Sequence, residues 1–533
     1  MAKKHINFFV RLFSMMICVA LVCSVGTGCN GTGSGDDGDE YYTSTIRRPV
    51  DNNNADGEEG DTNEESNTNT ESQGTDSGQS TSSEKGEDGK SNSNGSNVSS
   101  KAGTSNDKNL DDVPTKGKTF TICSAYLPTK ESEDNTLFER VFLKRVREVE
   151  KEYGITIKIV NSIVVKADQI ASFIRAGKPV ANILETDVRN LPPMIAAGYL
   201  KPWNKVDGVN VNNPNFFTGY TNAAKIGGNY YGLQFEKPPE VRYCMVMNKN
   251  LLKQKNIDPE QIYNMIEQKK WDFTTFLDYA KRTTNAGNGI YGVGGNPEYV
   301  MEMLLSANNA QIVTLNANGK ATPTYTSQNV VKSLEFMNQL INTDKVFYTT
   351  PGMHKRDTYA ASMPDYINQF IQGKLTFLME DSWVLNQRIR PKVKNFDYGM
   401  IPVPLGPSAT NYICSSGHAR VWLVTSTNKE LDFTAKIFNA LAELPAGYSG
   451  NDWWKDEIQL DYFQNNDTKS LKIYTDLLNN MVVDHGFGMS NVFSSFENKV
   501  MYEPMFWSSG KTVSAAVDSI KGTFDKAIND MFN

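Results

Sequence analysis

The chain has 533 residues, 39% of them apolar and 22% charged, with a net charge of -7. It is too long for one small module and too polar for a protein that crosses a membrane many times. Residues 1–29 carry three basic and no acidic side chains, 30–112 carry 6 basic against 19 acidic, and 113–533 carry 45 against 42, so no segment has the strong positive excess that nucleic-acid binding needs.

Residues 1–28 have the pattern of an export signal: Lys3, Lys4 and Arg11, a mostly apolar run from Leu12 to Val25, then Gly26, Thr27 and Gly28. About 14 apolar residues are too few to span roughly 30 Å of hydrocarbon. Cys29 follows the small residues directly and resembles the cysteine of a bacterial lipobox, with Gly26 where that motif usually has Leu. The resemblance implies cleavage before Cys29 and lipidation of its thiol. Cys18 and Cys23 lack preceding small residues and suit that role less well. Residues 29–115 are then the lipidated cysteine and a tether of Asn, Ser, Thr, Gly, Asp and Glu, which cannot bury enough apolar surface to offset chain entropy. Some 85 flexible residues give an average span of about 50 Å. Pro114 marks the end of the tether.

Cys123, Cys244 and Cys414 remain, an odd number more than a hundred residues apart with no C-x-x-C spacing, which predicts buried thiols instead of disulfides or a zinc site. Residues 116–533 are too many for one ordinary core and predict two lobes. Thr119 to Ser124 is a β-rich run followed by a loop. Leu137, Val141, Val146, Val149 and Tyr153 recur at helical spacing, Gly154 supplies the stop, and Ile155, Ile157 and Ile159 alternate as a strand. A helix from about Ala167 to Ala176 and the apolar run Val180 to Leu184 follow, the order of a parallel sheet covered by helices. Gly177 and Gly373 stand where a helix must stop and the chain reverse. Trp271, Asp272 and Thr274 form a helix entry with capping oxygens. Pro402 and Pro404 lock an extended segment of the kind found where a chain crosses between lobes.

Several phrases in order resemble the extracellular solute-binding proteins of ABC sugar importers. They are Gly177-Lys178-Pro179, Ala197-Gly198-Tyr199-Leu200-Lys201-Pro202, Gly228-Asn229-Tyr230-Tyr231-Gly232-Leu233-Gln234 and Val246-Met247-Asn248-Lys249-Asn250-Leu251-Leu252. Trp271 to Phe276, Phe370-Ile371-Gln372-Gly373-Lys374 leading to Met379 and Trp383, and Tyr398-Gly399-Met400-Ile401-Pro402-Val403-Pro404 complete the set, over about residues 118 to 440. The resemblance implies a two-lobed α/β fold of the periplasmic-binding-protein type (type II), each lobe a mainly parallel sheet flanked by helices, with the ligand cleft between. On that topology lobe 1 takes about 116–235 and 417–445, and lobe 2 about 236–416 and 446–533. The implied function is a lipid-anchored, extracytoplasmic, monomeric receptor on the outer face of the bacterial cytoplasmic membrane. It captures a sugar or oligosaccharide by lobe closure and passes it to the transmembrane permease of an ABC importer, without a cofactor.

Sugar binding needs an apolar platform for the ring and planar polar groups for its hydroxyls, placed where small-molecule sites occur, at strand carboxyl ends between domains. Tyr126 follows the first strand, Glu185 and Asp187 close the third, Asp381 and Trp383 follow Glu380 at the end of another, and Trp453 precedes Trp454 after Gly450. Each also has a plainer reading. The aromatics can be lobe packing, Asp187 a cap for the helix near Leu191, and Glu380 with Asp381 solvated. Catalytic motifs are poor by comparison. Gly287 to Gly292 fits G-x-G-x-x-G but follows a helix and opens none. His354, His418 and His485 are too dispersed for a local metal cluster. The neighbouring carboxylates leave an exported carbohydrate-active enzyme as one alternative, and a surface adhesion lipoprotein is the other.

Overall fold

The computed structural model describes residues 108–125, 127–130, 132, 137–161, 167–177, 180–235, 241–316, 319–349, 365–450, 452–507 and 509–532. The expected export signal, Cys29, most of the expected tether, Tyr126 and His354 lie outside them.

The strands that build the two main sheets are β1 Thr119–Ser124, β2 Thr156–Asn161, β3 Ile183–Asp187, β4 Leu200–Lys201, β5 Tyr243–Asn248, β6 Tyr291–Gly295, β7 Leu375–Asp381, β8 Tyr398–Ile401 and β9 Arg420–Thr425. The first sheet runs β2-β1-β3-β9-β4 and the second β8-β5-β7-β6. Residues 119 to 187 follow the predicted order: helix Leu137–Tyr153 ends at Gly154 with φ 63°, and helix Ala167–Arg175 leads to Gly177 at φ 65°. Gly373, at φ 73°, reverses the chain into β7.

The resemblance implies mainly parallel sheets, but both sheets are mixed. In the first, β1 pairs in parallel with β2 and β3, while β9 is antiparallel to β3 and β4. In the second, β5 is antiparallel to β7 and β8, and only the β7–β6 pair is parallel. The cause is topological. β5 and β9 are the strands that arrive from the other lobe, and each enters its sheet at the end where β7 or β3 leaves, so it must run the opposite way.

In β1, Phe120 and Ile122 are fully buried in one cluster with Trp203, Phe433 and Phe438, while Cys123 faces a second cluster. Trp203 stacks on Phe438 at 4.0 Å and donates its indole N–H to the Trp422 carbonyl at 2.8 Å, tying helix Leu431–Ala442 to the first sheet. The second cluster continues into the second sheet, where Phe276 meets Trp271 and Phe377 edge to face and the Trp271 and Phe377 rings are tilted at 47°. Asp272 caps helix Phe273–Thr283 by accepting from the Thr275 N–H at 2.8 Å, as predicted. Cys123, Cys244 and Cys414 are buried thiols that form no disulfide with one another.

Pro402 and Pro404 do not mark the crossing. Leu405 donates to the Trp271 carbonyl and accepts from Phe273 N–H, both at 3.0 Å, so this segment stays pinned to the second sheet. The chain changes lobe later, through Ser416 to Ala419. After helix Leu431–Ala442 it passes back, and residues 455–478 pack on the second sheet: Tyr398 Oη donates to the Tyr462 carbonyl at 2.8 Å, and Met400 N–H to Ser470 Oγ at 2.8 Å. Gly287 to Gly292 forms a turn, with Gly289 at φ 68°, that leads into β6 and opens no helix.

Candidate functional site

The two sheets present their strand ends to the same place. Arg420 of β9 lies opposite Asp187, the last residue of β3, and Tyr243 of β5 lies opposite Asp381, the last residue of β7. The crossing segments are stitched to these ends: Val188 N–H donates to the Ala419 carbonyl at 2.7 Å, and Ser382 N–H to the Arg242 carbonyl at 2.8 Å.

His418, in the crossing before β9, joins the lobes. Its Nδ1 lies 3.4 Å from Asp187 Oδ2, and its ring stands edge-on to Tyr243 and Tyr299, at 6.1 and 6.3 Å between centroids. Tyr243 and Tyr299 stack on each other at 4.7 Å. A carboxylate only accepts, so the bond to Asp187 selects the tautomer with the proton on Nδ1. Burial, aided by the Arg189 charge and opposed by Asp187, pushes His418 down to about 4, so the ring is neutral at pH 7. Burial disfavours ionised Asp187 too, but the His418 bond and the charges of Arg189 and Arg420 outweigh it and hold this carboxyl below its ordinary value.

Glu302, on helix Pro297–Ser306, accepts from the Ser415 hydroxyl. Burial raises its carboxyl, against the pull of Ser415 and Arg189. Arg242 pairs with Asp381 at 2.8 Å, and Arg189 Nε lies 3.8 Å from Asp187. Gly488 presses on this region from the C-terminal segment, where a side chain would sit 2.0 Å from the Arg189 carbonyl. That approach requires glycine.

Glu185 and Asp187 are both buried. Glu185 accepts from the Ser124 hydroxyl. The helix Leu191–Ala196 has Asn190 at its N-cap position, and Asp187 makes no side-chain cap to the turn Val188–Asn190 before it, so the capping alternative is replaced by the His418 and Arg189 contacts. Glu380 and Asp381 are each 1% exposed, which removes the solvated alternative for both. Asp381 Oδ1 accepts from the Trp383 N–H at 3.2 Å, and Trp383 is half-buried. Trp453 sits on the third passage between lobes, edge-on to Tyr448 at 5.7 Å, while Trp454 is buried against Tyr474.

Sequence reasoning did not find Arg189, Arg242, Tyr243, Tyr299, Glu302 or a site role for His418. The only signal for His418 is its position one turn before an apolar strand. Among the described residues there is no group of three or more His, Cys, Asp or Glu side chains placed to hold a metal ion, and no helix long and apolar enough to cross a membrane.

A family profile described as bacterial extracellular solute-binding protein matches residues 144–444. The chain belongs to this family. The resemblance carried by the short phrases is thereby borne out, and with it the two-lobed α/β fold. This solute-binding protein shares its fold with a cyclo/maltodextrin-binding protein solved with maltotetraose, at 16% identity over 78% of this chain and 99% of the other, TM-score 0.55. It likewise resembles the GacH receptor of Streptomyces glaucescens, at 15% identity over 78% and 99% of the two chains, TM-score 0.52. UgpB from Mycobacterium tuberculosis matches at 13% identity over 74% and 96%, TM-score 0.52. No curated protein sequence matches the solute-binding protein.

Its buried histidines give an acid response of definite sign. His418 and His485 are both pushed down to about 4 by burial. Between about 4 and the free value of 6.5 the folded chain holds fewer protons than the unfolded one, so their contribution is complete above pH 6.5 and is lost as pH falls toward 4. Asp484, pushed up to about 7 by burial, has the opposite sign, its contribution being lost as pH rises through 7. The histidine contribution is therefore read as a difference between proteins. His485→Asn should reduce the slope of unfolding free energy against pH in that window by about 1.4 kcal/mol per unit, one proton's worth. Urea titrations of both proteins at a series of pH values check this; equal slopes would mean that the ring already takes up its proton in the fold.

Proposed function

We propose that this solute-binding protein is a lipid-anchored receptor on the outer face of the bacterial cytoplasmic membrane. It captures a carbohydrate, an oligosaccharide by expectation, closes its lobes around it and delivers it to the permease of an ABC importer. The observation that carries the reading is the convergence of strand ends from two sheets on one set of polar side chains and a tyrosine pair. A solute touching both ends favours the closed arrangement over the open one, which is the energetic content of capture by closure. The fold shared with a protein solved with maltotetraose and with a receptor solved with acarbose supports the sugar class.

In this reading the lobes have the boundaries 116–235 with 417–445 and 236–416 with 446–533. Trp383 is the ring platform, Glu185, Asp187 and Asp381 are the polar groups that fix or accept hydroxyls, and Tyr126 and Trp453 are candidate aromatics at the rim. Residues 1–28 are removed, and 29–115 tether the receptor through lipid on Cys29. Cys29→Ser should therefore shift the mature protein from the membrane fraction to the soluble one and abolish incorporation of labelled fatty acid; a membrane-bound, labelled serine variant would place the anchor elsewhere.

The test of capture is thermal unfolding of residues 108–533 against mono- and oligosaccharides, with amino acids and peptides as controls. A ligand at about a hundred times its dissociation constant adds roughly 2.7 kcal/mol of stability. A saturable shift with one sugar class, weakened by about 1 to 3 kcal/mol of binding in Trp383→Ala, is the expected result. No shift with any saccharide in a protein that unfolds cooperatively would overturn the sugar assignment.

A further inference from the structure

The chain after Trp383 is irregular in a way that bears on which saccharide is read. The helical turn Ser382–Val384 runs directly into a π-helical turn, Leu385–Ile389, and the Arg390 N–H donates to the Leu385 carbonyl, five residues back, at 2.8 Å. In an α-helix residues three and four apart share a face, and residues five apart do not. A π turn is bonded i to i+5 and brings residues five apart back toward each other; such turns are frequent at functional sites. Arg388 is five residues after Trp383, and its guanidinium carbon lies 5.9 Å from the indole centroid. That is within the range at which a cation is held over an aromatic face.

The neighbouring arginines are committed elsewhere. Arg242 pairs with Asp381 at 2.8 Å, Arg189 lies 3.8 Å from Asp187, Arg420 acts on the same carboxylate, and Arg390 donates to the Phe463 carbonyl at 3.0 Å. Arg388 is half-buried and, among the described residues, makes no ion pair; its recorded contact is the Trp383 ring. A cation held over a ring face keeps its N–H fork for a planar, two-oxygen acceptor.

Resting on the reading of Trp383 as the ring platform, we propose that Arg388 makes this receptor selective for saccharides that carry an anionic group, a uronate carboxylate or a sulfate ester, on or next to the sugar that stacks on Trp383. The π turn is the device that places the cation beside the platform.

The test is calorimetric titration of the mature chain with trigalacturonate, a sulfated heparin-derived disaccharide and neutral galactotriose, for the wild type and for Arg388→Gln, Arg388→Lys and Trp383→Ala. The expected result is about tenfold tighter binding of at least one anionic saccharide than of the neutral one, with an affinity that falls as salt is raised. Arg388→Gln should abolish that preference by weakening anionic binding about tenfold more than neutral binding, Arg388→Lys should retain part of it, and Trp383→Ala should weaken both classes. The unfolding midpoint of each unliganded variant separates a lost ligand contact from a damaged fold. Where the Gln variant shifts that midpoint, the Lys variant carries the comparison. Equal affinity for neutral and anionic sugars, or an Arg388→Gln effect of the same size on both, overturns the proposal and leaves the receptor reading standing. Binding of no saccharide at all overturns both.

Discussion

Asp381→Ala should lower the unfolding free energy by about 3 kcal/mol and weaken solute binding at the same time. The carboxylate is 1% exposed and bonds Arg242 at 2.8 Å, and the arginine side chain is itself only 13% exposed. Removing one member of a buried pair leaves the other charge in a medium that solvates it poorly, typically at a cost of 3 to 5 kcal/mol. The lower end applies because Arg242 keeps some contact with water. The same carboxylate accepts from the Trp383 N–H at 3.2 Å, so its loss also frees the start of the turn that carries the proposed platform. Urea unfolding of the single variants and of Arg242→Met with Asp381→Leu separates these effects. The double variant should recover most of the stability, because two apolar groups of similar volume are nearly neutral replacements for a buried pair. It should not recover binding. Full stability of Asp381→Ala would show that Arg242 is adequately held by its other contacts.

Trp271→Ala should cost about 3 to 5 kcal/mol, the range for deleting a fully buried indole. The ring is 0% exposed, lies between Phe276, Tyr279 and Phe377 with centroid distances of 5.9, 6.2 and 5.8 Å, and donates its N–H to the Pro402 carbonyl at 3.1 Å. Two losses add here: a cavity at the centre of the second sheet's helical cover, and a buried carbonyl without its donor. Trp271→Phe should retain most of the packing and lose chiefly the hydrogen bond, about 1 kcal/mol plus the smaller ring. Chemical denaturation with a shared slope for both variants is the check. A cost below 1 kcal/mol for the alanine variant would mean that helix Phe273–Thr283 closes over the gap.

Trp271 and the residue after it show where the sequence was legible. Trp271 and Asp272 announce a helix entry because a cap is a matter of four consecutive residues, and the fold places the Asp272 oxygen on Thr275 N–H. Gly154, Gly177 and Gly373 end helices at positive φ for the same local reason. Pro402 and Pro404 were misleading. Proline fixes a local extended shape, but whether that shape crosses between lobes or stays with one depends on Leu405 finding Trp271 and Phe273, more than a hundred residues away.

The sequence by itself determined the family, the alternation of strands and helices up to Asp187, the helix stops and caps, and the fact that Asp187, Asp381 and Trp383 stand at strand ends. Periodicity, turn conformations and short motifs are properties of neighbouring residues, so they survive in a linear reading. The tertiary structure alone decided that Asp187 meets His418 and Arg189, that Asp381 meets Arg242, that Glu302 meets Ser415, and that a π turn sets Arg388 over Trp383. Burial makes such charges costly unless they are paired. Which pairs form is fixed by the lobe crossings, which bring together residues that the chain keeps as much as 231 positions apart, as with Asp187 and His418.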